Sequence, residues 1–227
     1  MGAVIKKELK NYFLSPIGYV VIGIFLTVFS FFFYITAIQY STIDLTDLFY
    51  CGAFYGLMLI APLLTMWTFS GERKSGTEQL LLTSPVSMLG VVLAKFISAM
   101  LLILIPVLCT LMYFGILCMF GVPDIPIYLT SALGFILLSC VYIAFGILAS
   151  SITESPIIAG ILTFAFVFGS TWIPEMVASL SNLSLMNNFI NFLYGQIDIT
   201  SVVLFVTLTI LFILITMILM QRRKSIK

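Results

Sequence analysis

The run IGYVVIGIFLTVFSFFFYITAIQ, residues 17–39, holds 23 residues without a single charge. As an α-helix rising about 1.5 Å per residue it is about 34 Å long, enough to cross a bilayer with some tilt. Lys6, Lys7 and Lys10 stand before it, and Asp44 and Asp47 follow it. Working outward, five more apolar runs repeat the pattern at residues 49–69, 90–120, 127–151, 157–173 and 201–220. The expected fold is an all-α membrane protein of six transmembrane helices, forming one domain over residues 1–227. Composition agrees: of 227 residues 62% are hydrophobic and 8% charged, against roughly 25% charged in a soluble domain. Pro106 lies inside the third run, where a membrane helix can kink if its neighbours satisfy the freed carbonyl.

An even number of spans puts both termini on one side. All ten basic residues fall there: Lys6, Lys7 and Lys10; Arg73, Lys74 and Lys95; Arg222, Arg223, Lys224 and Lys227. The opposite loops contain Asp44, Asp47, Asp124, Glu175 and Asp198 but no Lys or Arg. The positive-inside rule therefore predicts that both ends and the loop after the second span are cytoplasmic. A formal net charge of +1 gives no global basic field, so no nucleic-acid partner is expected.

The inventory of side chains argues against catalysis. Histidine is absent, which removes the commonest general base and the commonest metal ligand. Cys51, Cys109, Cys118 and Cys140 show no C-x-x-C spacing and read as small buried hydrophobes. No G-x-x-x-x-G-K-[ST] loop occurs, so this chain alone has no phosphate cradle for a nucleotide. Neither catalytic, cofactor-binding nor metal-binding residues are expected. Ion-coupled transporters place ionisable groups at mid-membrane depth. Here the nearest is Lys95, one turn into the third span, which is expected to snorkel back to the cytoplasmic surface. Small residues at Gly52 and Gly56, at Gly146 and Ser150, and at Gly169-Ser170 suit close helix contacts, either within one subunit or between two.

Two cytoplasmic elements carry more pattern. Residues 3–14 set Val4, Ile5, Leu9, Tyr12 and Phe13 among Lys6, Lys7, Glu8 and Lys10, as in a helix lying in the headgroup layer, or in a plain positive anchor. Ser15-Pro16 then breaks this segment and starts the crossing. The loop GERKSGTEQLLLTSP, residues 71–85, reads as a short helix, with Ser75 and Glu78 at capping-box spacing and Ser84-Pro85 as a stop. Beside its charged residues it exposes Leu80, Leu81 and Leu82. That suits a knob docking in a groove of a soluble partner, or a surface helix lying on lipid.

Taken in order, KELKNYFLSPIGY (7–19), ERKSGT (72–77), LLLTSP (80–85), Lys95-Phe96, SSITE (150–154) and GQID (195–198) resemble type-2 ABC transporter permeases, and among them the gliding-motility-associated branch. The resemblance covers the whole chain. It implies a six-helix half-transporter, with residues 3–14 as an interfacial connecting helix on which Lys6, Lys7, Lys10, Tyr12 and Phe13 stand. The coupling helix would meet a separate ATPase through Glu72, Arg73, Lys74, Gly76, Thr77, Glu78, Gln79, Leu80, Leu81 and Leu82, with Glu154 from the other cytoplasmic loop. At this segment the chain departs from the family's Gly-Thr-x-Glu, having Gln79 where the acid is usual. Residues 174–198 would form short re-entrant helices in the outer leaflet.

The resemblance further implies a permease subunit of an ATP-driven exporter in the bacterial inner membrane. Its partners would be a second permease copy or a related permease, soluble ATPase subunits that hold ATP and Mg, and an extracytoplasmic accessory subunit. The rival readings are an ATP-independent secondary transporter or channel, and a membrane anchor or sensor that transports nothing.

Overall fold

The structure is a computed structural model that describes residues 2–40, 45–78, 87–176 and 184–226. Gln79, Leu80, Leu81 and Leu82, and residues 177–183 of the expected re-entrant segment, lie outside the described residues. Helix α1 runs Gly2–Leu14. The first span is α2, Pro16–Phe33, continued by a π-helical stretch Tyr34–Gln39. The second combines α3 (Thr46–Cys51), a π turn Gly52–Gly56, α4 (Leu57–Thr65) and α5 (Ser70–Lys74). Then come α6 (Met88–Phe120), α7 (Ile125–Ile152), α8 (Pro156–Met176), the short α9 (Leu185–Leu193) and α10 (Ile199–Ile226).

Among the described residues six helices are long and apolar enough to cross a membrane. They cover Pro16–Gln39, Thr46–Lys74, Met88–Phe120, Ile125–Ile152, Pro156–Pro174 and Ile199–Arg223. The second runs five residues past the expected Phe69, because the charged residues Glu72, Arg73 and Lys74 are still helical. Pro106 leaves α6 one continuous helix and lies buried within the bundle.

Helix α7 is the axis of the bundle, in contact with α4, α6, α8, α9 and α10. Lipid is as apolar as a Phe side chain, so close shape-fitting rather than exclusion of water holds membrane helices together. The glycines show where this matters. A Cβ at Gly52 would run into the Phe29 ring, and one at Gly56 would press on Phe25 at 3.0 Å. The Gly52/Gly56 pair thus seats α2 against the second span inside this subunit. Gly146 similarly admits Thr65 of α4, and Gly134 admits Phe192 of α9. Phe25, Phe29, Phe49 and Phe135 interlock around these points, with ring centroids 5.7 to 6.3 Å apart. Hydroxyl pairs join helices as well, Ser30 with Tyr113 at 2.6 Å and Thr110 with Tyr128 at 2.8 Å.

The cysteines are less enclosed than their residue type suggests. Cys51, Cys109 and Cys140 are half-buried and Cys118 is exposed. Cys140 packs against the buried core as a small hydrophobe. Ser170 returns its hydroxyl to the Val167 carbonyl at 2.9 Å and lies 3.4 Å from the Tyr142 hydroxyl, a packing role in keeping with its sequence context.

Candidate functional site

The polar chemistry of the bundle gathers at the end where both termini lie, and it begins with a break in the second span. Pro62 supplies no amide hydrogen, and Thr65 and Thr68 turn their hydroxyls back on Ala61 O and Thr65 O, both at 2.7 Å. Such back-bonding offers the chain an alternative to the helical ladder. The helix lapses into turns over residues 66–69 and restarts at Ser70. A restarting helix leaves amides without partners. Ser150 of α7 meets two of them: its hydroxyl oxygen accepts from Phe69 N at 3.0 Å and Ser70 N at 3.1 Å.

Lys95 occupies the space behind this break. It is 1% exposed, so it does not snorkel to the surface as the sequence suggested. Its ammonium donates to Thr68 O at 2.7 Å and to Glu8 Oε1 at 3.2 Å, and lies 3.0 Å from Glu72 Oε2 and 4.9 Å from the Phe69 ring centroid. A single cation thus ties α1, the broken second span and α6 together. A buried charge is tolerated only when paired and hydrogen-bonded, and removing one partner of such a pair costs about 3–5 kcal/mol. Around this core Tyr12 donates to Leu64 O at 3.3 Å, and Ser98 donates to Ile5 O at 3.4 Å. Burial first, then the Glu8 and Glu72 carboxylates, push the Tyr12 phenol well above its ordinary pKa, so it stays a donor. On α1, Lys6, Lys7 and Lys10 are exposed, while Glu8 faces the bundle.

A second cluster sits beside the first, where α7 ends. Glu78 is gripped by Arg73, whose Nε and Nη2 donate at 3.2 and 3.3 Å, and lies 3.8 Å from Arg223 of α10. The same two guanidinium groups serve the last carbonyls of α7, which have no helical donors. Arg73 donates to Ser151 O at 3.0 Å and Thr153 O at 2.8 Å, and Arg223 donates to Ile152 O at 3.3 Å. Arg suits this place because its planar fork presents several fixed donors at once. Between the clusters Gly76 closes α5 in the left-handed region, at φ +73°, with its amide on Arg73 O.

The residues singled out by sequence therefore divide by direction. The side chains of Glu72, Arg73 and Glu78 turn into the bundle and are spent on internal partners, at 15%, 11% and 9% exposure. Lys74, Gly76 and Thr77 are exposed at the tip, and Glu154 is exposed on the neighbouring connection, one residue past Thr153. Phe13 is 39% exposed and Tyr12 half-buried on α1. Sequence reasoning gave no site role to Glu8, Thr68, Ser150 or Arg223, reading Ser150 only as a small packing residue. A partial signal existed for the first: a lone Lys near the end of an apolar helix needs an acid, and Glu8 is one of four acids on that membrane face, with Glu72, Glu78 and Glu154.

Among the described residues no group of His, Cys, Asp or Glu could hold a metal ion. What the arrangement can do is mechanical: a stiff ionic mount under an exposed loop, joined to four helices. Residues 3–212 match the family model described as ABC-2 family transporter protein. A search of curated proteins finds no match. With its six apolar helices the chain is a multi-pass membrane protein and a transporter permease, and it belongs to the ABC-2 transporter family.

Proposed function

We propose that this chain is the permease subunit of an ATP-driven exporter in the bacterial inner membrane, near the gliding-motility-associated branch of its family, with both termini in the cytoplasm. Two such subunits, identical or related, form the pathway, and soluble ATPase subunits hold ATP and Mg. An accessory subunit on the far side is compatible with this arrangement. The single observation that carries the reading is the double ionic mount beneath residues 71–78. A loop that only connected two spans would need no buried Lys95 and no pair of arginines holding its base. A loop that receives force does need them, since displacement at the tip must reach the spans instead of being absorbed locally.

In this scheme Lys74, Gly76, Thr77, Gln79, Leu80, Leu81 and Leu82 meet the ATPase, with Glu154 beside them. Glu72, Arg73 and Glu78 belong to the same segment and pass its movement inward. Through Lys95 the motion reaches α1 and α6, and through Arg223 and Ser150 it reaches α10 and α7. Closure of the ATPase dimer then shifts the two bundles as rigid bodies and alternates access between them. Helix α9 fits a re-entrant role on the far side: Phe192 packs at Gly134, nine residues into α7 and therefore about 14 Å along it. Replacing Leu80, Leu81 and Leu82 by Ser is expected to abolish transport-coupled ATPase activity while membrane insertion stays normal. Unchanged activity would overturn the docking role of the loop.

A further inference from the structure

Under α1 lies a cavity of about 710 Å³ whose lining changes character along its length. Following the second span toward the terminal end, the lining residues are Leu63, Leu64 and Trp67, and then Glu72, Ser75 and Thr77. Leu63 and Leu64 stand before the break at residues 66–69, and Glu72 and Ser75 stand after it. The first span and α1 add Ile17, then Tyr12, Asn11 and Lys7, with Val4 beyond them. Apolar lining thus faces the depth of the membrane and polar lining faces its surface. A ligand that fits both ends has an apolar tail and a polar head.

Charge selects the head. Lys95, at the back wall, is committed to Glu8, Glu72 and the Thr68 carbonyl. Lys7 is different: its side chain is 57% exposed and its ammonium stands 3.5 Å from Glu72 Oε1, the other oxygen of that carboxylate facing Lys95. Lys6 and Lys10, also exposed, flank it on the same short helix. With Asn11 beside Lys7, the accessible groups at the mouth favour an anion with several acceptor oxygens, as a phosphate has.

We propose that this cavity binds a glycerophospholipid from the leaflet at the terminal end, with its phosphate at Lys7 and Asn11 and one acyl chain along Leu63, Leu64 and Trp67. The lipid wedges α1 against the second span directly beneath the ionic mount. The inference rests on the membrane location of the chain and not on any ATPase, so the two readings fail separately.

The two tryptophans make the site readable. Trp67 lines the cavity, and Trp172 is on α8, sixteen residues from its start and so near the far end of the bundle. The full chain carrying Trp172→Phe is titrated in mild detergent with phosphatidylglycerol brominated on its acyl chains, which quenches tryptophan on contact. Quenching of Trp67 is expected to saturate at a few lipids per protein. Lys7→Glu, a change at an exposed position, is expected to raise the half-quenching concentration by about tenfold or more, equivalent to about 1.4 kcal/mol. Brominated diacylglycerol, which lacks the phosphate, is expected to show no saturation, and neither is Trp172 in the companion Trp67→Phe chain. Quenching that rises linearly and ignores Lys7→Glu would mean contact with bulk lipid only and would overturn the proposal. Displacement of the brominated lipid by inorganic phosphate would assign a free-anion site instead, and would overturn it equally.

Discussion

The middle of the bundle and its terminal end are held by different physics. At mid-depth Phe25, Phe29, Phe49 and Phe135 interlock over Gly52 and Gly56, and the interactions are many, weak and non-directional. At the terminal end a few directional contacts converge on Lys95 and on Glu78. Loss of one contact in the first region is shared among neighbours. In the second it leaves a buried charge or carbonyl without a partner, where the low dielectric makes the loss large. The proposed drive from outside the membrane would use both: a core that moves as a body and an attachment that does not yield.

Substitutions can break that contrast, and the ionic end is expected to respond most. Lys95→Ala should lower stability by about 3–5 kcal/mol, read as a fall in thermal unfolding temperature in detergent, because the buried Glu8 then loses its cation and Glu72 keeps only the exposed Lys7. Lys95→Met combined with Glu8→Gln and Glu72→Gln should recover most of the loss. If Lys95→Ala leaves unfolding unchanged, the mount is not a structural element. In the aromatic region Gly52→Val should cost about 1–3 kcal/mol by overpacking against Phe29, and Phe29→Leu in the same chain should relieve part of it. Ser150→Ala, which orphans the Phe69 and Ser70 amides, should cost about 1–3 kcal/mol, while Ser150→Gly should not be milder if the hydroxyl is what matters. Gly76→Ala should cost about 1 kcal/mol from its left-handed backbone alone, since no atom lies within 4 Å of the added Cβ. At the smallest end, Lys7→Ala should change unfolding by at most about 1 kcal/mol, because Lys7 is itself exposed and Glu72 keeps Lys95.

The six spans were legible because a membrane helix announces itself in length and apolarity alone, as residues 17–39 do. Gly52 and Gly56 were legible as close contacts, though only the structure shows that Phe25 and Phe29 of the same chain fill them. The break at residues 66–69 was not, since Met66, Trp67, Thr68 and Phe69 continue an apolar run and the cause lies partly in Ser150, 81 positions away from Phe69. Lys95 looked like a residue that could reach the surface because its acid partner Glu8 is 87 positions distant. Snorkelling is a property of an isolated helix; a neighbour carrying a carboxylate at the same depth changes the balance. For the same reason Glu72, Arg73 and Glu78 read as one charged face, when three-dimensional contacts turn them inward and leave Lys74, Gly76 and Thr77 outside.

The central claim is that the terminal end is a mount for an external motor. It is tested most directly by extracting the tagged chain from native membranes in mild detergent and identifying by mass spectrometry what accompanies it. The account predicts a stoichiometric soluble ATPase, retained by the native chain and lost when Leu80, Leu81 and Leu82 are replaced by Ser. Recovery of the chain without any ATPase, with transport intact after reconstitution, would contradict it.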